Sequence, residues 1–143
     1  MRDDPLFLAE EDILELHNEQ LRLFGGLDGI RDQSGLSSAI GSPQNVHFYD
    51  PDASIFDIAA SYAYHISQSQ AFVDGNKRTA LQAALVFLNI NGFEVETDPM
   101  NIFEAMMNLH NGQSTKEAFA KHLTRCSVRK GGFAQFLRKF FRI

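Results

Sequence analysis

The sequence lacks most of the residues from which disulfide-bonded, zinc-binding and membrane-spanning proteins are built. Its 143 residues include one cysteine and no tryptophan. A single cysteine excludes an intramolecular disulfide, so a reducing cytoplasm is the expected compartment. The 5 histidines are scattered without the spacing of a zinc site, and no apolar run approaches the roughly 20 residues that span a bilayer. Neither a Walker A pattern nor a G-x-G-x-x-G pattern is present, so any nucleotide would be bound by a different motif.

Positive charge is also scarce through most of the chain. The formal net charge is −5, and no acidic residue follows Glu117. The basic residues before that point are Arg2, Arg22, Arg31, Lys77, Arg78 and Lys116. Such an acidic body argues against nucleic acid as a partner, because phosphate backbones are bound by clustered cations.

Two of those cations are neighbours within the stretch from Gln70 to Thr79, which reads Gln-Ala-Phe-Val-Asp-Gly-Asn-Lys-Arg-Thr. A helical pattern begins at about Gly75, so backbone N–H groups and the positive end of a helix dipole meet the cations there. Glycine lets the backbone approach a ligand, and a concave run of N–H groups suits a di- or triphosphate. Cations in a first helical turn oppose the dipole by roughly 0.3–1 kcal/mol each, which indicates that an anion binds.

Each of these residues has a second interpretation. Asp74 is equally well placed as a helix N-cap, accepting from the N–H of residue 76 or 77. Asn76 could be a solvated residue of the first turn, and Lys77 and Arg78 could be surface charges. Phe72 is predicted to be a core residue that anchors the loop.

The rest of the pattern predicts an all-α fold, a compact bundle of about six helices. Helical periodicity runs from Ala9 to about Leu23, around Leu36 to Ile40, from Ile55 to the loop at Gln68-Ser69, from Thr79 to Ile90, from Asp98 to Leu109, and after a capping box at Ser114–Glu117. The Thr79–Ile90 segment is apolar almost all round and is predicted to be the central buried helix. Pro43 and its neighbours are expected to break the chain. Phe93–Glu96 is expected to form a short strand, with too little else to build a sheet.

The 70–79 stretch also resembles the signature loop of the Fic/Doc (Fido) superfamily, and specifically of its death-on-curing (Doc) toxin branch. That pattern runs His-x-Phe-x-Asp/Asn-Gly/Ala-Asn-Lys-Arg-Thr. Phe72 and every residue from Asp74 to Thr79 match it, whereas Gln70 stands where the family has its His. The preceding order of helix, Gly-Ile-Arg-Asp loop, short helix and Pro-Gln-Asn break is similar too. The resemblance covers roughly residues 6–123 and indicates one Fic/Doc-like domain over residues 1–125.

The resemblance implies an activity and a role for each matching residue. Proteins of this kind bind ATP with Mg²⁺ and modify a protein hydroxyl: Fic enzymes usually transfer AMP, and the Doc branch transfers a phosphate to a threonine of elongation factor Tu. When the family's roles are applied to the matching residues of this sequence, Asp74 is expected to hold Mg²⁺, and Gly75 and Asn76 are expected to bind the phosphates. Lys77 and Arg78 bind the phosphates and neutralise charge on the transferred group. The family's His accepts the proton of the target hydroxyl, and Gln70 occupies that catalytic position without a basic group.

Two functions therefore stay open. The first is a Doc-like toxin of a toxin–antitoxin pair that modifies a protein, and the second is a nucleotide- or partner-binding homologue that has lost turnover. An amide can still orient a nucleophile, and loose phosphoryl-transfer transition states need little base assistance. No Ser/Thr-x-x-x-Glu-Gly/Asn inhibitory pattern occurs in the sequence, so we expect the inhibitor to be a separate small antitoxin.

The segment 126–143 differs from the body in composition. After Gly131-Gly132, an apolar stripe of Phe133, Phe136, Leu137 and Phe140 alternates with Arg138, Lys139 and Arg142, which predicts a basic amphipathic helix. One interpretation is that it docks on its own acidic body. The other is that it contacts a partner, nucleic acid or a membrane surface.

Overall fold

A computed structural model describes residues 4–130, and these residues form six α-helices and two short β-strands. The helices are α1 (Glu10–Phe24), α2 (Gln33–Tyr49), α3 (Ile55–Ser69), α4 (Asn76–Ile90), α5 (Pro99–His110) and α6 (Lys116–Cys126). The strands are β1 (Phe93–Val95) and β2 (Ser127–Arg129). The predicted all-α class and the compact helical bundle are confirmed.

The core is centred on α3 and α4, which pack against each other along their length. The central role predicted for α4 is confirmed, since its side chains Phe87 and Leu88 are fully buried. It shares that position with α3, where Tyr62 and Ile66 are equally buried. Helix α1 packs on α4, and α2 and α6 pack on α3. The segment joining α3 to α4 is thus held at both ends by buried helices.

Helix α2 corrects the prediction of a chain break at Pro43. The helix continues through Pro43 to Tyr49, and the proline ring itself is buried. Proline fixes φ near the helical value, so its cost here is one missing N–H bond and local crowding. Leu36 and Ile40 are buried on the same helix, and packing of this face against α3 outweighs the local breaker.

A second correction concerns the strands. β1 pairs antiparallel with β2, with Phe93 opposite Arg129 and Val95 opposite Ser127. The expectation that too few strand residues remain to build a sheet is therefore wrong. It overlooked β2, which lies in the segment assigned to the tail. The cap of α6 also differs by one residue: Thr115, not Ser114, accepts from the N–H of Ala118.

The remaining tail prediction lies outside the described residues. Phe133, Phe136, Leu137 and Phe140, with the basic residues among them, all follow Lys130, where the described chain ends. Within residues 4–130, none of the helices combines the length and the apolarity needed to cross a bilayer.

Candidate functional site

The 70–79 loop begins at a residue with an unusual backbone. Gln70 ends α3 with φ 45° and ψ 40°, and it is the one non-glycine residue with positive φ in the described chain. A left-handed conformation costs a non-glycine residue about 1–2 kcal/mol, so the surroundings must hold it there. The Gln70 carbonyl accepts a hydrogen bond of 2.8 Å from Nη2 of Arg31, and the side chain of Gln70 is exposed.

The connection between α1 and α2, residues 25–32, supports the loop with backbone hydrogen bonds. The N–H of Arg31 donates to the carbonyl of Ala71 at 2.6 Å, and the N–H of Val73 donates to the carbonyl of Gly29 at 3.0 Å. Gly29 has φ 138°, and a Cβ at this position would lie 3.1 Å from Cγ2 of Val73. The positive φ therefore favours glycine at this position, and a larger residue would also crowd Val73.

Asp74 is tied to the same 25–32 loop. Its Oδ2 accepts a hydrogen bond of 2.7 Å from the N–H of Leu27. The alternative role as N-cap of α4 is wrong, because Gly75 occupies the cap position and the helix has no side-chain cap. Asp74 is exposed, and the other carboxylate oxygen, Oδ1, makes no hydrogen bond within residues 4–130. One oxygen thus fixes the side chain while the second is accessible to a ligand.

The side chain of Asn76 closes the loop. Its Oδ1 accepts from the N–H of Phe72 at 3.0 Å, and its Nδ2 donates to the carbonyl of Phe72 at 2.9 Å. Both ends of the amide are therefore used within the protein, and the interpretation of Asn76 as a solvated residue is wrong. A contact between Asn76 and an anion would use its backbone N–H or the second N–H of Nδ2.

The start of α4 offers a cluster of unpaired N–H groups. Its first backbone bond runs from the N–H of Thr79 to the carbonyl of Gly75 at 3.0 Å. The N–H groups of residues 75–78 donate to no backbone or side-chain acceptor in the described part of the chain. Helix N-termini normally leave such donors free, and a capping side chain usually satisfies one of them. Here all stay available, at the positive end of the dipole of a buried helix.

The two cations of the loop lie near different neighbouring helices. The Arg78 guanidinium lies 4.5 Å from the ring centroid of Phe24, at the end of α1. Lys77 lies near the end of α5, where burial lowers the pKa of His110 and the charge of Lys77 lowers it further. Both cations belong to the first turn of α4, the turn that carries the unpaired N–H groups.

An apolar cavity of about 350 Å³ adjoins the Arg78 side of the site. Helices α1, α4 and α5 supply its walls, among them Phe24, Leu81, Leu85 and Phe103. A volume of this size is within the range of small-molecule sites, which begin at roughly 300 Å³. The anion-binding features of the loop and a pocket of ligand dimensions thus share one residue, Arg78.

The structure offers the predicted Mg²⁺ a single carboxylate, that of Asp74, rather than a preformed set of several ligands. No cluster of three or more His, Cys, Asp or Glu side chains suited to a metal ion exists within residues 4–130. Mg²⁺ is commonly held by one or two carboxylates together with substrate phosphates and water. Asp74, with one free oxygen beside the unpaired N–H groups, fits an ion that arrives with a nucleotide.

Sequence reasoning missed His17, which lies directly beneath the loop. Its side chain is 2 % exposed, and its Nε2 lies 2.7 Å from the carbonyl oxygen of Asp74. The imidazole stacks on Phe72 with the ring centroids 3.7 Å apart. A signal was present in the helical spacing, because Ile13, His17 and Gln20 follow an i, i+4, i+7 pattern and all are buried. Polar residues on a buried helix face indicate partners elsewhere in the chain.

The sequence matches one family profile and two known proteins. A sequence profile described as the Fic/DOC family matches residues 7–88, which include both loops of the site. The chain is 34 % identical over 92 residues to "Protein kinase doc" of Escherichia phage P1, an alignment covering 64 % of this chain and 73 % of that protein. It is 38 % identical over 93 residues to "Toxin Doc" of Mycolicibacterium smegmatis, covering 64 % of this chain and 69 % of that protein.

Proposed function

This chain belongs to the Fic/DOC family, and from that premise we propose that it is a Doc-like toxin acting on a protein hydroxyl. The donor is ATP with Mg²⁺, and the group transferred is a phosphate or, as the second possibility, AMP. The target is a protein such as elongation factor Tu, in the cytoplasm. Two relatives, named as a toxin and as a protein kinase, support this class of activity.

The uncapped start of α4 is the observation that carries the proposal. Residues 75–78 present unpaired N–H groups, and the same helical turn carries the cations Lys77 and Arg78. Phosphoryl transfer requires positioning and electrostatic stabilisation more than covalent help from the protein. In this proposal the N–H groups bind the phosphate oxygens, and the two cations neutralise charge on the group that moves.

Asp74 and Gln70 have different tasks. The free oxygen of Asp74 holds Mg²⁺, which when bound neutralises negative charge on the phosphates. Gln70 carries an exposed amide at the family's base position, so it can orient the target hydroxyl by hydrogen bonding but cannot accept its proton at neutral pH. The left-handed backbone at Gln70 is held by Arg31 whether the side chain is basic or not.

The missing base favours a second candidate, a homologue that binds nucleotide or a partner without turnover. General-base help is worth roughly 10²–10⁴-fold in rate, so its loss alone can reduce transfer below a useful level. In either case we propose a small antitoxin, encoded separately, as the partner. A disordered antitoxin segment that folds as an amphipathic helix on the bundle fits this role.

The first test is calorimetric titration of the protein with ATP and MgCl₂. We expect binding by the wild type and a loss of at least tenfold in affinity in Lys77→Ala/Arg78→Ala, since charge-assisted hydrogen bonds contribute about 1.5–3 kcal/mol each. The matched control is Arg22→Ala/Lys121→Ala, which removes two exposed cations elsewhere. Equal binding by all three proteins, or by none, would contradict the anion site.

The second test separates transfer from binding. Purified protein is incubated with cell extract and ATP labelled at either the α- or the γ-phosphate, and labelled proteins are resolved by electrophoresis. Label from the γ position alone shows phosphate transfer, and label from the α position shows AMP transfer. Binding of ATP without labelling of any protein would support the non-catalytic homologue.

A further inference from the structure

We propose that His17 is a positioning residue that locks the Asp74–Gly75 peptide so that the N–H of Gly75 faces the bound phosphate. The inference rests on the proposed function, because it assigns a task to a residue beneath the same loop. It follows from two contacts of one buried side chain, with Phe72 and Asp74, and from its closeness to Gly75, where an added Cβ would lie 3.4 Å from Cδ2 of His17.

The direction of the hydrogen bond is fixed by its partner. The carbonyl oxygen of Asp74 can only accept, so Nε2 of His17 carries the proton and donates over 2.7 Å. The imidazole is almost fully buried and nearly parallel to the ring of Phe72, with an interplanar angle of 10°. The donor therefore has one position, and it holds the Asp74 carbonyl against the interior of the protein.

The orientation of one peptide determines the orientation of the next donor. No peptide bond in the described chain is cis, and in a trans peptide the C=O and N–H bonds point in opposite directions. With the Asp74 carbonyl directed at His17, the N–H of Gly75 points away from the imidazole, and like the N–H groups of residues 76–78 it has no acceptor within residues 4–130.

Gly75 makes such a lock necessary. Its φ is 83°, and glycine occupies positive and negative φ with similar ease, so the peptide before it can rotate at little steric cost. After rotation the carbonyl oxygen of Asp74, rather than an N–H, would face the phosphate, and the two would repel. The imidazole lies close to Gly75, since a Cβ added there would lie 3.4 Å from Cδ2 of His17.

Two substitutions separate this role from simple packing. His17→Phe keeps an aromatic ring on Phe72 but removes the donor. His17→Gln keeps an N–H donor at about the reach of Nε2 but removes the ring. If His17 positions the peptide, His17→Phe should weaken ATP–Mg²⁺ binding roughly tenfold, as expected for loss of an intramolecular bond and of one anion contact, while His17→Gln should remain within about threefold of the wild type. If His17 only fills space, the order of the two variants is reversed.

The experiment combines titration with ATP and MgCl₂, thermal melting, and NMR of the amide of Gly75. Melting shows whether both variants fold, and we expect the phenylalanine variant to melt close to the wild type because its core is kept. Residual dipolar couplings report the N–H orientation of Gly75 without ligand, and we expect a changed orientation in His17→Phe and an unchanged one in His17→Gln.

The outcomes distinguish this inference from the function on which it rests. Binding by the wild type, with equal affinity in His17→Phe, overturns the lock and leaves the proposed function intact. Absence of ATP binding by the wild type overturns the function, and the phosphate contact of Gly75 with it. An unchanged Gly75 orientation in His17→Phe overturns the lock whether or not ATP binds. If neither variant folds, His17 is a structural residue and the proposal is wrong.

Discussion

The guanidinium of Arg31 donates a hydrogen bond of 2.8 Å to the backbone carbonyl of Gln70, the residue with the left-handed backbone. Two positions 39 residues apart in sequence are thereby joined at the point where α3 ends. Under the proposal that position 70 corresponds to the family's base, the backbone that aims this side chain is held by a residue of the 25–32 loop.

We therefore predict that Arg31→Ala lowers the rate of transfer about tenfold while changing ATP affinity little. The bond holds position 70, whereas the N–H groups and cations that bind phosphate belong to residues 75–78. Misplacing a reacting group costs rate rather than ground-state binding. Steady-state kinetics and ATP titration measure the two effects, and Arg22→Ala is the control for loss of an exposed arginine. A parallel loss of ATP affinity would show that the whole loop, rather than position 70, depends on Arg31.

A stability prediction concerns Tyr62, whose buried hydroxyl bridges to the chain before α1. The hydroxyl accepts from the N–H of Leu8 at 2.9 Å and contacts the Leu8 carbonyl at 3.5 Å, and burial raises the pKa of Tyr62 to about 12. Tyr62→Phe leaves the N–H of Leu8 buried without that partner, which costs about 1–3 kcal/mol. Urea denaturation should show a lower midpoint at an unchanged slope. Tyr49→Phe, at a residue 78 % exposed, should leave the midpoint unchanged.

The pH dependence of stability is predicted from His65. Burial lowers the pKa of His65, and the nearby charge of Lys116 lowers it further. Below the unfolded pKa of about 6.5 the unfolded chain binds the proton more readily than the folded chain, so the free energy of unfolding should fall as the pH drops through that value. Above it, both states are neutral and the contribution is constant. Urea midpoints between pH 8 and pH 5 measure the trend, and His65→Gln should make it shallower. An identical decline in the variant would assign the effect to other groups.

The sequence predicted the helices best where a regular apolar face coincides with a cap. Helix α5 is an example, since Asp98 accepts from the N–H of Met100 and Pro99 follows it as the first helical residue. The continuation of α2 through Pro43 was missed because a local breaker is visible in sequence and the packing that overcomes it is not. For the same reason β2 was missed, since three residues carry no periodic signal and form a strand only by pairing with β1.

For the candidate site as well, local features could be predicted from the sequence and long-range contacts could not. The identities of Asp74, Lys77 and Arg78 marked the proposed anion site within one short stretch, but the partners that position the loop lie far away in sequence. Asp74 accepts from Leu27 across 47 residues, and His17 reaches the Asp74 carbonyl across 57. Patterns within ten residues cannot reveal such pairs, so the N-cap alternative for Asp74 remained open until the structure placed its carboxylate.

The pairing of β2 with β1 changes where the tail, assigned from the sequence to residues 126–143, can be deleted. The described chain ends at Lys130, whose N–H donates to the carbonyl of Gly92 at 2.8 Å, so a deletion that spares β2 must begin at residue 131. If residues 131–143 dock on the acidic body, their removal should lower the melting temperature, and the difference should shrink in high salt because the tail contributes Arg138, Lys139 and Arg142. Scanning calorimetry at low and high salt measures this. Unchanged stability, together with loss of binding to a partner or to anionic vesicles, would replace the intramolecular role with an interaction role.

The last prediction concerns the substitution Gln70→His. The residues proposed to bind phosphate lie together at the start of α4, and the backbone at position 70 is already held in the left-handed conformation, which His tolerates better than most residues. Gln70→His adds an imidazole with a pKa of about 6.5 that can accept the target's proton at neutral pH. We expect transfer to a protein target to rise by roughly 10²-fold or more, and the gene to become more toxic to a bacterial host.

The control for that gain is Asp74→Ala in the Gln70→His background. This variant should lose the added activity, because the carboxylate proposed to hold Mg²⁺ is gone. Transfer rates with labelled ATP and growth of the host measure both effects. If Gln70→His leaves an already active wild type unchanged, the amide of Gln70 suffices to orient the hydroxyl, as a loose phosphoryl-transfer transition state allows. If the variant stays inactive while ATP still binds, more than the base has been lost, and the non-catalytic homologue is the correct interpretation.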